Sequence, residues 1–165
     1  MLGFGLLLMA TILAPASASQ VPAPAPPPPD NPQKPDKSPN QHIDWAASYD
    51  AALQMASEQH KPVMADFYAD WTTASHYLDD HILNSPDVIK ESRKFINVRI
   101  NTDKQTSLTN LYKVHGIPTV IFMDGNGNVL TRIEGAPAEI SYFVGVMKKA
   151  MQKFEAENKT GSGQQ

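Results

Sequence analysis

Nine of the chain's 14 prolines stand at positions 22, 24, 26, 27, 28, 29, 32, 35 and 39. Proline fixes φ and has no N–H to donate, so "QVPAPAPPPPDNPQKPDKSPN" (20–40) is closed to helix and sheet. It reads as an extended, solvated spacer, with recognition by a proline-binding partner as the alternative use. Any compact unit has to follow it. Ahead of it, Leu2 to Ala14 is an apolar run shorter than the roughly 20 residues a helix needs to span a bilayer. Pro15 and the small-x-small pattern Ala16-Ser17-Ala18 come next, which reads as a signal peptide cut after Ala18. No Lys or Arg precedes the run, so an uncleaved anchor is the alternative. The expected organisation is a signal peptide at 1–18, a linker at 19–41, a folded domain at 42–154 and a disordered tail at 155–165. The expected location is periplasmic or secreted.

The chain contains no cysteine. Disulfides, thiol nucleophiles and cysteine-held zinc or iron–sulfur sites are therefore excluded, as is lipid anchoring through a cysteine at the cleavage site. An exported chain without cysteine has nothing to mispair in an oxidising compartment. The net charge is −3 with both signs interspersed, which argues against a nucleic-acid partner.

Within the folded part, Trp45, Tyr49, Ala52, Leu53 and Ala56 recur at helical spacing, predicting a helix over 45–59 with Asp44 as its N-cap. Val63 to Tyr68 is a short apolar strand, and 73–83 has a helical pattern. Ser85-Pro86 reads as an N-cap followed by a first-turn proline. Phe95 to Ile100 alternates as a strand, and Leu108, Leu111 and Tyr112 sit on a short helix ended by Gly116. Two strands, 119–123 and 129–134, flank "DGNGN", a hairpin signal because Asn and Gly tolerate positive φ. Pro137 opens a last helix with a one-sided stripe of Ile140, Phe143, Val144, Met147, Met151 and Phe154. A strand–helix–strand start makes a right-handed parallel pair, to which the hairpin adds antiparallel strands. The expected class is α/β.

That order, with "KPVMADFYADW" (61–71), "HGIPTVIFMDGNGNV" (115–129) and Gly135 before the final helix, resembles the thioredoxin superfamily. The likeness is to the periplasmic thioredoxin-like domains of the DsbD type and their single-domain relatives. It implies a central mixed β-sheet of about four strands flanked by helices. It also exposes a departure. Where the family carries Trp-Cys-x-x-Cys, this chain reads Trp71-Thr72-Thr73-Ala74-Ser75. Disulfide exchange needs one thiolate to attack and a second thiol to resolve the mixed disulfide. A helix N-terminus can bring a thiol's pKa into the working range, but it cannot do the same for a hydroxyl.

The resemblance places Asp66 where the family has a buried aspartate that moves protons for the resolving cysteine. Here it is either a relic held by a water or neighbouring hydroxyl, or a general base aimed at Ser75 or Thr72. The resemblance also makes Ile117–Pro118 a cis bond followed by Thr119. Ile117 would present its main chain to an extended segment of another exported protein, in a groove shaped by Trp71. His76 and Asp80 lie at i, i+4 with His81 nearby. Two ligands on one exposed helix face do not make a metal site, and no cofactor is expected. His42, His60 and His115 are scattered. The expected function is a redox-inactive, monomeric binding or chaperone-like module. The alternatives are a glutathione-binding or transferase-type enzyme using Thr72 or Ser75, and a scaffold in a thiol–disulfide or cytochrome-assembly system. In an insulin-disulfide reduction assay, turnover by the purified protein should equal the buffer rate. Catalysed reduction would contradict the sulfur chemistry above.

Overall fold

The computed structural model describes residues 41–161, so the expected signal peptide, nearly all of the linker and the last four residues lie outside the described part. Three helix starts are set by side-chain caps. Ser48 accepts a hydrogen bond from Ala51 N at 3.1 Å and opens α1, Tyr49–Gln59. Thr72 does the same for Ser75 N and opens α2, Thr73–Tyr77. Ser85, followed by Pro86, opens α3, Pro86–Ser92. Between α2 and α3 the chain widens into a π-helical segment, Leu78–Leu83, within the stretch expected to be one regular helix. The short α4 spans Thr106–Leu111 and ends at Tyr112 with Lys113 at φ 51°, so Gly116 lies beyond the stop rather than making it. The last helix, α5, runs Ile140–Gly161 and starts after Pro137. It continues past Phe154, so the first part of the segment expected to be a disordered tail is helical.

Asp44 is not a helix cap. Trp45–Ala46 forms a strand, β1, because it lies in parallel register beside the start of β3, Ile96–Asn101, with Trp45 opposite Asn97. A two-residue strand leaves no periodicity to read. The sheet therefore has five strands rather than about four, in the order β1-β3-β2-β4-β5. β2 is Val63–Tyr68, β4 is Thr119–Met123 and β5 is Val129–Glu134. β2 pairs in parallel with β3 and antiparallel with β4, and β4 pairs antiparallel with β5.

As the central strand, β2 is buried on both faces, which is why it reads as a near-continuous apolar run. On one face Ala65, Phe67, Val98 and Ile121 meet Ala52 and Ala56 of α1 and the ring of Tyr112. On the other, Met64, Val120 and Phe122 meet the π-helical segment, α3 and the α5 stripe, with Phe143 and Met147 fully buried. Among the described residues, no helix is long and apolar enough to cross a membrane.

The β4–β5 hairpin is held from two sides. Asp124 Oδ1 accepts from the backbone N–H of Asn126 and of Asn128, both at 2.8 Å. Tyr112 donates its hydroxyl proton to Gly127 O at 3.1 Å, so Tyr49 must be the donor in the bond between the two tyrosine hydroxyls. Gly127 adopts φ +84°, and a Cβ there would sit 2.8 Å from Tyr112 Oη and 3.0 Å from Tyr49 Oη. Gly127→Ala should therefore cost about 1–3 kcal/mol of stability. Gly116→Ala, where a Cβ meets nothing within 4 Å, should stay within about 0.5 kcal/mol of the parent. Urea titration of both variants checks this, and equal midpoints would refute the steric account.

Candidate functional site

The residues singled out in the sequence gather at one end of the sheet. Phe67, near the end of β2, stands opposite Thr119, the first residue of β4. The Trp71–Ser75 stretch that leaves β2 and the Ile117–Pro118 turn that enters β4 therefore share an edge. The Ile117–Pro118 bond is cis. Pro118 and Thr119 are buried, Ile117 is half-buried, and Thr119 donates its hydroxyl to Gly116 O at 2.7 Å. Trp71 is 72% exposed, and its indole Nε1 donates to Asp103 Oδ2 at 3.0 Å.

Thr72 and Ser75 turn towards each other. Thr72 Oγ1 donates to Ser75 Oγ at 2.6 Å and accepts the Ser75 N–H at 3.1 Å. Ser75 Oγ, in a residue only 2% exposed, also accepts from Ala69 N at 3.4 Å. Two hydroxyls thus close the strand-to-helix turn by hydrogen bonds. Outside this pair, His76 Nε2 lies 2.9 Å from Asp70 O, while His81 stacks on Tyr77 and contacts its carbonyl. Among the described residues, no three His, Asp or Glu side chains are grouped to hold a metal ion.

Asp66 is fully buried, and among the described residues its side-chain partner is Arg99 rather than Thr72 or Ser75. In the parallel register Asp66 stands opposite Arg99 on β3. Arg99 Nε donates to Asp66 Oδ2 at 3.0 Å, and its Nη2 reaches both oxygens of Asp79 at 2.9 and 3.0 Å. The guanidinium also lies 4.1 Å from the Tyr68 ring centroid and 5.5 Å from that of Trp45. Asp66 Oδ1 is buried without a hydrogen-bond partner among the described residues. Burial pushes the Asp66 carboxyl up to about 7; the attraction of Arg99 opposes this and the nearby Asp79 charge adds to it. Arg99 and Asp79 did not emerge from the sequence. The available signal was the alternation in "INVRIN", which puts Asn97, Arg99 and Asn101 on one face of an otherwise apolar strand.

The family model for the thioredoxin-like domain matches residues 49–155, more than half of the chain. The chain belongs to the thioredoxin-like domain family. Among curated relatives, the thiol:disulfide interchange protein DsbD of Photorhabdus laumondii is 33% identical over 87 residues. That match covers 49% of this chain and 15% of the relative, so the chain spans a small part of that protein's length. Among solved structures, a DsbH oxidoreductase superposes with a TM-score of 0.62 at 25% identity, covering 74% of this chain and 94% of that one. The oxidised C-terminal domain of Neisseria meningitidis DsbD gives 0.52 at 24% identity over 61% of this chain and 90% of its own, a likeness of fold. This thioredoxin-like chain, unlike what those names would call for, contains no cysteine.

A carboxyl whose folded-state pKa is raised binds more protons folded than unfolded, so its ionisation weakens the fold as pH rises through the interval between the two values. For Asp66 that interval runs from 3.8 to about 7. Relative to Asp66→Asn, the parent should lose stability across it, with a slope of at most about 1.4 kcal/mol per pH unit. Urea unfolding of both proteins at pH 4, 5.5 and 7.5 tests the sign. A parent that gains on the variant with rising pH would mean that Arg99 outweighs burial.

Proposed function

We propose that this thioredoxin-like chain is an exported, redox-inactive binding module that takes up an extended segment of another exported protein, in a chaperone-like or assembly role. The observation that carries the reading is the Trp71 indole. It is a large aromatic surface, 72% exposed, pinned by Asp103 at the sheet end where β4 begins. A ring already held in place loses little freedom on binding, and aromatic anchors dominate recognition surfaces. Beside it, no turn or loop hydrogen bond among the described residues engages the Ile117 main chain. That leaves its backbone to pair with a visiting strand, a mode that needs no thiol. The family relationship to DsbD-type proteins supports a periplasmic setting.

The Thr72–Ser75 geometry weighs against the glutathione reading. A hydroxyl that holds a ligand thiol has to face the ligand, whereas Ser75 is buried and Thr72 is engaged with Ser75 and the α2 N-terminus. The same closure gives the site a fixed floor with no reactive group in it.

An unfolded, carboxymethylated polypeptide is a suitable probe, because it offers extended segments and no thiols. Trp71→Ala should weaken its capture about tenfold while shifting stability by less than about 0.5 kcal/mol, as expected for an exposed aromatic anchor. Met55→Ala, beside β1 and far from Trp71, should leave capture unchanged. Equal affinity of the Trp71 variant and the parent would remove the basis of the reading.

A further inference from the structure

The opposite end of the sheet carries a concavity. β2 and β3 run in parallel with Val63 level with Ile96, so the start of β3 lies at the far end from Trp71. There, β1, α1 and the end of α3 enclose a cleft of about 350 Å³, within the range of small-molecule sites. Three of its walls are apolar. Trp45 is half-buried, Phe95 is buried, and Met55 is among the few large apolar side chains left exposed.

The cleft is built rather than incidental. Asn97 lies in its floor, buried, and its amide Nδ2 donates to the carbonyls of Asp44 at 3.3 Å and Ser92 at 3.2 Å. That bond pair ties the β1 rim to the α3 rim, so the space is present before anything enters it. Two cations, Lys61 and Arg93, line the same cleft, and among the described residues neither has a carboxylate partner. Lys61 Nζ is positioned by one hydrogen bond to Arg93 O at 3.3 Å, which leaves two of its three donors unused. The one acidic side chain in the lining, Asp44, leaves an excess of positive charge.

We propose that this cleft binds a small organic anion with an apolar, ring-sized body, a site separate from the Trp71 edge. The body lies against Trp45, Met55 and Phe95, and the anionic group meets Lys61 and Arg93 in charge-assisted hydrogen bonds. An inorganic anion leaves the apolar walls uncovered, and a neutral apolar compound leaves the two cations without a partner.

The chain's two tryptophans stand one at each end of the sheet, Trp45 in this cleft and Trp71 at the other edge, so their indole N–H resonances report the two places separately. The full-length, 15N-labelled protein is titrated with 2-naphthoate, 2-naphthylmethanol and 2-naphthylmethylammonium, with Trp71→Phe to assign the signals. The expected result is a saturable shift of the Trp45 signal with naphthoate while that of Trp71 stays in place. Affinity for the alcohol and the ammonium should be at least about tenfold lower, the scale of one lost charge-assisted hydrogen bond. Lys61→Ala and the surface change Arg93→Ala should each weaken naphthoate to a similar degree, with spectral dispersion showing that each variant is folded. No saturable shift at Trp45, a shift confined to Trp71, or equal affinity for the three probes would overturn the proposal. So would undiminished naphthoate binding by both variants.

Discussion

Arg99 ties the central strand to the π-helical segment through one side chain. One guanidinium bridges Asp66 on the central strand and Asp79 on the π-helical segment, and packs against the rings of Tyr68 and Trp45. A carboxyl buried at the middle of a sheet is costly unless a charge or donor meets it. Arg99 supplies both, from the neighbouring strand, in a fork whose planar geometry suits two carboxylates at once. The location of Asp79 in the π-helical segment fits the same demand, because the widened turn is where that side chain meets the fork. Even so, burial pushes the Asp66 carboxyl up against the attraction of Arg99, and Asp66 Oδ1 has no hydrogen-bond partner among the described residues. The apolar packing of both sheet faces surrounds the site.

The strand-to-helix turn works by a different economy of contacts. Where the family's motif has two sulfurs, this chain has two hydroxyls that bond to one another and to the backbone of the turn. The Thr72 hydroxyl caps α2, and with no sulfur at either position exchange chemistry is removed as well. What the edge retains is shape and main chain: an exposed indole fixed by Asp103, and a turn into β4 beside it. Binding by such a surface depends on the position of backbone and aromatic groups, not on reactivity.

Much of the fold was legible because its local signals agree. The α5 stripe, the Ser85-Pro86 start, the hairpin at Asp124–Asn128 and the apolar run of β2 each combine a pattern with a compatible cap or turn. The misses have physical causes. Trp45–Ala46 is too short for a period of two to show, and its strand character comes from lying beside β3 rather than from propensity. Its aromatic and alanine residues also fit the helical spacing that continues into α1, which shifted the expected cap from Ser48 to Asp44. The widening at Leu78–Leu83 has no sequence signature of its own, since the apolar positions fit a regular helix nearly as well.

By itself the sequence determined which chemistry is absent and which residues stand near the turn. A chain without cysteine cannot exchange disulfides in any conformation, and Trp71-Thr72-Thr73-Ala74-Ser75 follows β2 by covalent connection alone. Only the tertiary structure decided what those residues face. Asp66 and Arg99 are 33 residues apart and meet through strand register. Trp45 and Met55 line a cleft with Lys61 and Arg93 because β1 docks against β3. Register and docking are settled by the burial of both sheet faces together, a sum over contacts between distant segments that no local stretch encodes.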